Sequence, residues 1–412
     1  LTEPAWRGSS LRTRSPATTL AELWPALNEV GITRLANVTG LDSIGIPVVM
    51  AVRPLSRSLT VAQGKGSSLE AASASALMEC FELHCAERHN LELRLSTERD
   101  LADAGIAYET DFAMPVDANT SDRMPILWTA AHAVRSALHQ ADAGGSPGAQ
   151  PTLVPYELVH MDRREPSPFG SPRFLLSSNG LCSGNTVPEA LLHGMCEVVE
   201  RDASALFHAL GDAAKDDRRL DLDTVDDPAC NDMLKQFEAA GVGVIVWNET
   251  NDLGIAVFQC VIVDRDPNPF RYLVPGRGYG AHPDRGIALL RALAEAAQSR
   301  LTFISGARDD LFHDEYLAQN SSGRIDRYRA DLVQPTPTCF HDVPTTHFDQ
   351  IGDAVQFVDG QITQVTGSPP LYCDLSLPEI PAAVVRVLAP GLEGVHDIPR
   401  YSPGRRALAV TP

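Results

Sequence analysis

The sequence predicts an α+β fold in which mixed and antiparallel sheets pack around buried helices. Three observations carry that prediction. Strand-like runs come in twos and threes between helices, which argues against a simple doubly wound sheet. Three long segments have helical periodicity and are apolar nearly all round, as expected of buried helices. Each of these follows a strand-like run and a Gly-rich stretch. Length alone, at 412 residues, suggests two or three domain-sized units.

The elements follow in order. A helix is expected over 19–30, because Leu20, Leu23, Trp24 and Leu27 recur at helical spacing. Strands are expected at 32–39, 46–53 and 58–63, the last entering a Gly64-Lys65-Gly66 turn, and an apolar helix then covers 68–89. Residues 136–152, SALHQADAGGSPGAQPT, are small, polar and Gly/Pro-containing, and read as a surface loop. Strands resume at Thr152, and a strand at 174–178 leads through the NGLCSGN turn (179–185) into a second apolar helix over 187–210. A helix at 233–240 and strands at 243–247 and 255–264 come next. A strand at 272–274 then runs into the GRGYG turn (276–280) and a third apolar helix over 285–304. The remainder, with Pro335, Pro337, Pro369, Pro370, Pro378 and Pro381, mixes short elements with loops.

Composition narrows the function. The net charge of -19, from 53 acidic and 34 basic residues, argues against nucleic acid, whose binding depends on neutralising phosphates. No stretch approaches ~20 uninterrupted apolar residues, so no membrane span is expected, and residues 1–15 lack the apolar centre of a signal peptide. The eight cysteines form no C-x-x-C pair, and no His pair stands at zinc-finger spacing; reduced thiols in a cytoplasmic protein are the expectation. Position 1 is not Met, so Leu1 and Pro412 are not taken as native termini.

The three apolar helices share a polar pattern. Ser75, Glu79 and Glu82 stand at i, i+4 and i+7; Arg291, Glu295 and Gln298 repeat that spacing. Between them, Asn185 is followed by Glu189, His193, Glu197 and Glu200, four side chains within about 80° of one helix face. Exposed helices rich in Glu produce such spacings by chance, but Ala72, Ala76 and Leu77 around the first pair and Leu192, Met195 and Val199 around the second point to burial. Buried carboxylates in close array are costly unless a cation joins them. Magnesium is the candidate, since it takes oxygen ligands from few carboxylates and completes its shell with water and substrate phosphates. An acidic site can hold ATP only through such a cation. Lys65, Arg201, Arg291 and Arg300 are available to meet phosphate oxygens, and the Gly-rich turns could add backbone N–H donors. Neither G-x-x-x-x-G-K-[ST] nor the kinase signature set is present.

The runs GKGSSLEAASASALMECFE (64–82), SSNGLCSGNTVPEALLHGMCEVVERDA (177–203) and RALAEAAQSR (291–300) resemble the YcaO family in order, spacing and Gly-rich leads. The likeness extends from about Thr19 to the PGLEGVH and SPGRRA segments. The resemblance implies a single unit with a YcaO-like fold, made of an N-terminal helix and strands (1–60), a core (61–330) and a C-terminal segment (331–412). It implies also that this unit binds ATP and Mg2+ and phosphorylates the oxygen of a peptide backbone amide. Attack by a neighbouring Cys, Ser or Thr then gives an azoline, and attack by external sulfide gives a thioamide. Carried over, Ser75, Glu79, Glu82, Asn185, Glu189, Glu197, Glu200, Gln298 and Arg300 would hold nucleotide and metal, together with Lys65, Arg201 and Glu295. Glu79, Glu82, Glu197 and Glu200 would be the metal ligands.

Azoline-forming members often end in a PxPxP tail, whereas this chain ends ALAVTP, and residues 32–54 look like members that work beside a TfuA-type partner. Thioamide formation is therefore expected, with azoline formation as the alternative and a non-catalytic nucleotide-binding scaffold as a reading of another class. Only about sixty residues precede the first motif, so a TfuA-like or leader-binding partner is expected to deliver the precursor peptide or protein. A homodimer is the family-level expectation. His193 and His396 are acid–base candidates, with packing as the plainer alternative for each. Cys182 reads as a small turn residue rather than a sulfur carrier.

Overall fold

The computed structural model describes residues 6–411 apart from 8–9, 113–120, 144–149, 165–172, 267–272, 312, 314–315, 317–321 and 399–400. Each of the three apolar helices lies on its own sheet. The first motif helix, Leu69–Arg88, covers an antiparallel sheet of Arg34–Asn37, Val48–Val52 and Val61–Lys65. The third, Arg285–Ser305, covers an antiparallel sheet of Val242–Asn248, Ala256–Asp264 and Gly276–His282. These two units share one topology, a three-stranded meander whose last strand enters a helix. The second motif helix, Val187–Ala209, leaves the edge strand Leu181–Gly184 of a larger sheet. That sheet continues through Ala383–Leu388 and Leu371–Asp374 to Ile126–Ala133, all antiparallel. Leu220–Asp221 pairs with Thr338–Cys339 in parallel, so the sheets are mixed, as expected.

Local chemistry sets the helix starts. Ser68 Oγ accepts from Ala71 N–H, and Asp284 accepts from Gly286 and Ile287 N–H, satisfying donors that have no intrahelical partner. The core then buries each helix on several faces. Leu77, Phe81 and Cys85 pack with Ala51, Ala62 and Val384. Leu191, Met195 and Val199 pack with Val355, Val358 and Ile362 of helix Ile351–Thr366. Leu289, Leu293 and Ala296 pack with Phe237 and Phe258.

Several expectations need correction. The helix expected over 19–30 starts at Pro16 and is broken after Leu23 by a 3-10 turn, Trp24–Ala26, because Pro25 has no N–H for the helical ladder. The loop expected over 136–152 is instead helix Val134–Ala143 followed, beyond the undescribed 144–149, by strand Thr152–Pro155. Val134, Ala137 and Leu138 pack with the core of the second motif helix, and this tertiary burial overrides the small polar composition. Residues 175–178 have no regular structure, and the strand lies at Leu181–Gly184 instead. Two of the Gly-rich stretches are strand where a turn was expected: Gly64 and Lys65 close one strand, and the whole GRGYG run is another, whereas Asn179 and Gly180 do form a turn ahead of strand Leu181–Gly184. Of the strand expected at 272–274, Tyr272 lies outside the described residues. Among the described residues, no helix is long and apolar enough to cross a membrane.

Candidate nucleotide and metal site

Glycine brings strand and helix together at each motif. A Cβ on Gly64 would stand 2.0 Å from Ala76 N, and one on Gly278 would stand 2.3 Å from both Ala292 O and Ala296 N. No side chain fits there, so the strand backbone lies directly on the helix. The motif glutamates then reach backbone N–H groups of these strands. Glu79 Oε2 accepts from Gln63 N–H at 3.3 Å, and Glu295 Oε1 accepts from Tyr279 N–H at 3.3 Å. Glu82 Oε1 accepts from Ser183 N–H at 2.9 Å and Ser183 Oγ at 2.7 Å, which ties the first helix to the strand that precedes the second.

The three helices enclose one cleft with three connected lobes. An outer lobe of about 260 Å³ has apolar walls, Met78 and Leu290 among them, with Ser75, Glu82, Asn185 and Glu189 at its polar side. A central lobe of about 430 Å³ is lined by Glu197, Glu200, Arg201, Glu295 and Gln298. Lys65, Glu79, His193 and Arg291 line both. A third lobe of about 260 Å³ shares Arg201, Arg277 and Glu295 with the centre and is closed by Tyr279, Tyr328 and Asp397. Eleven of the twelve predicted nucleotide residues therefore line the cleft. Arg300 does not. It is 1% exposed, and its guanidinium is spent on Asp42 (Nε to Oδ2 2.8 Å) and Asp264 (2.8 Å).

Burial dominates the electrostatics. It pushes Glu82 up to about 8 against the hydrogen bonds from Ser183, with Glu79 and Glu197 adding like charge. It raises Glu200 to about 7 despite Arg201, and it raises Glu79 although Arg308 and Lys65 oppose it. Burial also acts on Glu295, but Lys65 and Arg201 outweigh it and hold that carboxyl below its usual range. Glu189 behaves similarly: Arg12 at 2.9 Å, Thr13 N–H at 3.0 Å and Asn185 at 3.1 Å outweigh its burial and lower it. Glu189 is thus committed to anchoring residues 12–13 on the second helix. His193 is held well below the ordinary imidazole range by burial and by Arg291, Arg12 and Lys65, so its ring is neutral at pH 7. His396 does not line the cleft. Its ring lies 4.8 Å from that of His208, and its neighbour Asp397 reaches the third lobe. The Cys182 thiol donates to Glu197 Oε2 at 3.2 Å, and burial pushes its pKa well up, so it is a poor thiolate.

The donor chemistry fits magnesium and a triphosphate. Glu200 is buried and Glu79 and Glu82 are half-buried, the desolvation of all three disfavours their charged forms without a cation, and the buried Gln298 Oε1 has no hydrogen-bond partner. Among the described residues no three His, Cys, Asp or Glu side chains converge into a metal centre of their own.

Sequence reasoning missed several cleft residues. Arg12 precedes every motif and lines the outer lobe, paired with Glu189. Arg277 and Tyr279 sit within the GRGYG run, whose strict alternation with glycine was the available signal. Outside the three lobes, Glu249, 1% exposed with its pKa pushed up to about 8 by burial, accepts from Ser204 Oγ at 2.5 Å behind the second helix.

Comparison with known proteins agrees with this architecture. A protein of Rhizobium leguminosarum bv. trifolii, known as an uncharacterized protein in the tfuA 3' region, is 35% identical over 395 residues, covering 93% of this chain and 88% of that one. A heterocyclase solved in complex with substrate and cofactor superposes with a TM-score of 0.77 at 22% identity; the match covers 98% of this chain and 55% of that chain. YcaO from Methanopyrus kandleri, solved with AMPPCP and Mg2+, superposes with a TM-score of 0.72 at 21% identity, covering 98% of this chain and all of that one (100%). At these identities the two structures establish the fold. The model of the YcaO cyclodehydratases, described as ATP- and Mg2+-binding, matches residues 63–393. On that match and the 35% relative, the chain belongs to the YcaO family of ATP- and Mg2+-binding enzymes.

Proposed function

We propose that the chain uses ATP to activate a backbone amide of a ribosomally made peptide or protein, and replaces its oxygen with sulfur to give a thioamide. The observation that carries the ATP half is the single cleft in which carboxylates from all three motif helices face Lys65, Arg201 and Arg291. The sulfur half is supported by the 35% identical relative in the tfuA 3' region. The amide oxygen attacks the γ-phosphorus and ADP leaves; sulfide adds to the activated carbon, and phosphate departs as the carbon–sulfur double bond forms. The outer lobe suits a nucleobase against Met78 and Leu290, with Ser75 and Asn185 beside it. The central lobe suits the phosphates, with Lys65, Arg201 and Arg291 toward their oxygens. Glu79, Glu82, Glu197 and Glu200 would hold Mg2+ ions, one or two carboxylates to each, and the bound ions would offset the charge of carboxylates and phosphates. A neutral His193 packs between the lobes. A TfuA-like partner in the cytoplasm would deliver the peptide.

Mass spectrometry of a precursor peptide co-expressed with this chain and a TfuA-type protein tests the reading. A mass gain equal to exchanging oxygen for sulfur is expected. Loss of one water would instead identify azoline formation. ATP binding without any peptide change in the complete complex would favour the scaffold reading.

A further inference from the structure

With the nucleobase assigned to the outer lobe and the phosphates to the centre, the third lobe of about 260 Å³ is left without an occupant. It stands at the far end of the line that runs from the apolar outer lobe through the charged centre. Its walls come from the GRGYG strand. Gly276, Gly278 and Gly280 face the third motif helix, where added Cβ atoms would meet Ala296 O, Ala292 O and Ala288 O at 2.2–2.3 Å. Side chains alternate across a strand, so Arg277 and Tyr279 project away from that helix into the lobe. Both are fixed. Arg277 donates to the Tyr328 hydroxyl at 2.9 Å, Gln259 Nε2 donates to the Tyr279 hydroxyl at 2.9 Å, and the Arg201 guanidinium lies 5.9 Å from the centre of the Tyr279 ring. With Gln259 donating to its oxygen, Tyr279 keeps its own proton to give. Asp397, an acceptor delivered by the C-terminal segment, lines the same lobe.

We infer that this lobe is the acceptor subsite, in which Arg277 and Tyr279 donate to the carbonyl oxygens of the peptide and Asp397 accepts from a backbone N–H. A peptide bond presents one acceptor and one donor, and the lobe offers the complement of each. Its volume of about 260 Å³ admits a short stretch of chain rather than a folded element. Arg201 and Glu295, shared with the central lobe, mark where the amide would meet the phosphates. The assignment rests on the amide-activating reading and names the part of the cleft that holds the amide.

The test needs no turnover. Saturation-transfer NMR on the full chain with Mg-ADP uses three probes: a mixture of N-acetylated, C-amidated tripeptides, the same tripeptides with free carboxylates, and inorganic phosphate. Blocked tripeptides should bind the wild type, and Tyr279→Phe and Arg277→Gln should each weaken that binding by about tenfold, the loss of one good hydrogen bond. Tyr279→Phe removes one oxygen only and keeps the test open if Arg277→Gln misfolds. Binding of phosphate or free carboxylates with none of the blocked tripeptides would overturn the assignment and make the lobe an anion site. Unchanged tripeptide binding in Tyr279→Phe would overturn it as well. The amide-activating reading fails by a separate result, an unmodified co-expressed precursor, which leaves the binding data untouched.

Discussion

Lys65 Nζ donates to Glu295 Oε2 at 2.7 Å, joining the strand that enters the first motif helix to the third motif helix 230 residues further on. The pair spans the centre of the cleft and is about a quarter exposed on each side, so it is open to ligand. Lys65→Met should weaken Mg-ATP binding by roughly tenfold, since one charge-assisted contact to phosphate is lost. Isothermal titration calorimetry reads this directly. An unchanged affinity would mean that Lys65 serves Glu295 alone.

Glu82→Gln separates stability from binding. Burial already disfavours the Glu82 charge, so the amide should leave the melting temperature of the ligand-free protein unchanged or raise it. The thermal shift produced by Mg-ATP should disappear, because the amide is a poor metal ligand. A variant that retains the full shift removes Glu82 from the ligand set.

Glu249 gives a pH signature. Its folded pKa of about 8 lies above its ordinary value of 4.5, so the native state binds more protons between those limits. Its contribution to stability is fully present below about pH 4.5 and is lost as pH rises toward 8. Glu249→Gln carries no such titration. The melting temperature of the variant should therefore rise relative to that of the wild type between pH 4.5 and about 8 and hold a constant offset above that; parallel curves across this window would show that Glu249 is not buried as described.

Arg406 holds the C-terminal segment to the second motif helix. It donates to both oxygens of Asp202, at 2.8 and 2.9 Å, and to Asp252 at 2.6 Å, while Asp202 is 0% exposed. Arg406→Ala leaves Asp202 with Glu393 N–H and Asn251 only, and should cost about 3 kcal/mol, as for a broken buried pair. A denaturant midpoint measures it. Asp202→Asn with Arg406→Ala should recover part of the loss.

Gly278→Ala should yield little soluble protein. The new Cβ would meet main-chain atoms at 2.3 Å, which cannot rotate away, so strand and helix must separate at a cost of roughly 3 kcal/mol or more. Gly105→Ala, at a position with open space but positive φ, should be milder. Expression and melting temperature compare the two, and equal losses would refute the close-approach argument.

The sequence by itself determined the three buried helices and the polar face on each. The spacings in Ser75-Glu79-Glu82, Asn185 to Glu200 and Arg291-Glu295-Gln298 are local, and helix geometry alone aligns them. The same arithmetic excludes Arg300, which lies nine residues from Arg291 and so about half a turn out of phase. Only the tertiary structure decided what those faces meet. Helix Val134–Ala143 forms because its apolar residues find the second motif helix, which composition cannot show. Arg12 and Asp397 enter the cleft from opposite ends of the chain, and no local pattern marks them. Gly64, Gly184, Gly276, Gly278 and Gly280, read as parts of phosphate turns, lie in strands, because the demand for a missing Cβ comes from a helix backbone packed against them. Periodicity fixes direction around one element, whereas distances between elements arise only when the elements pack.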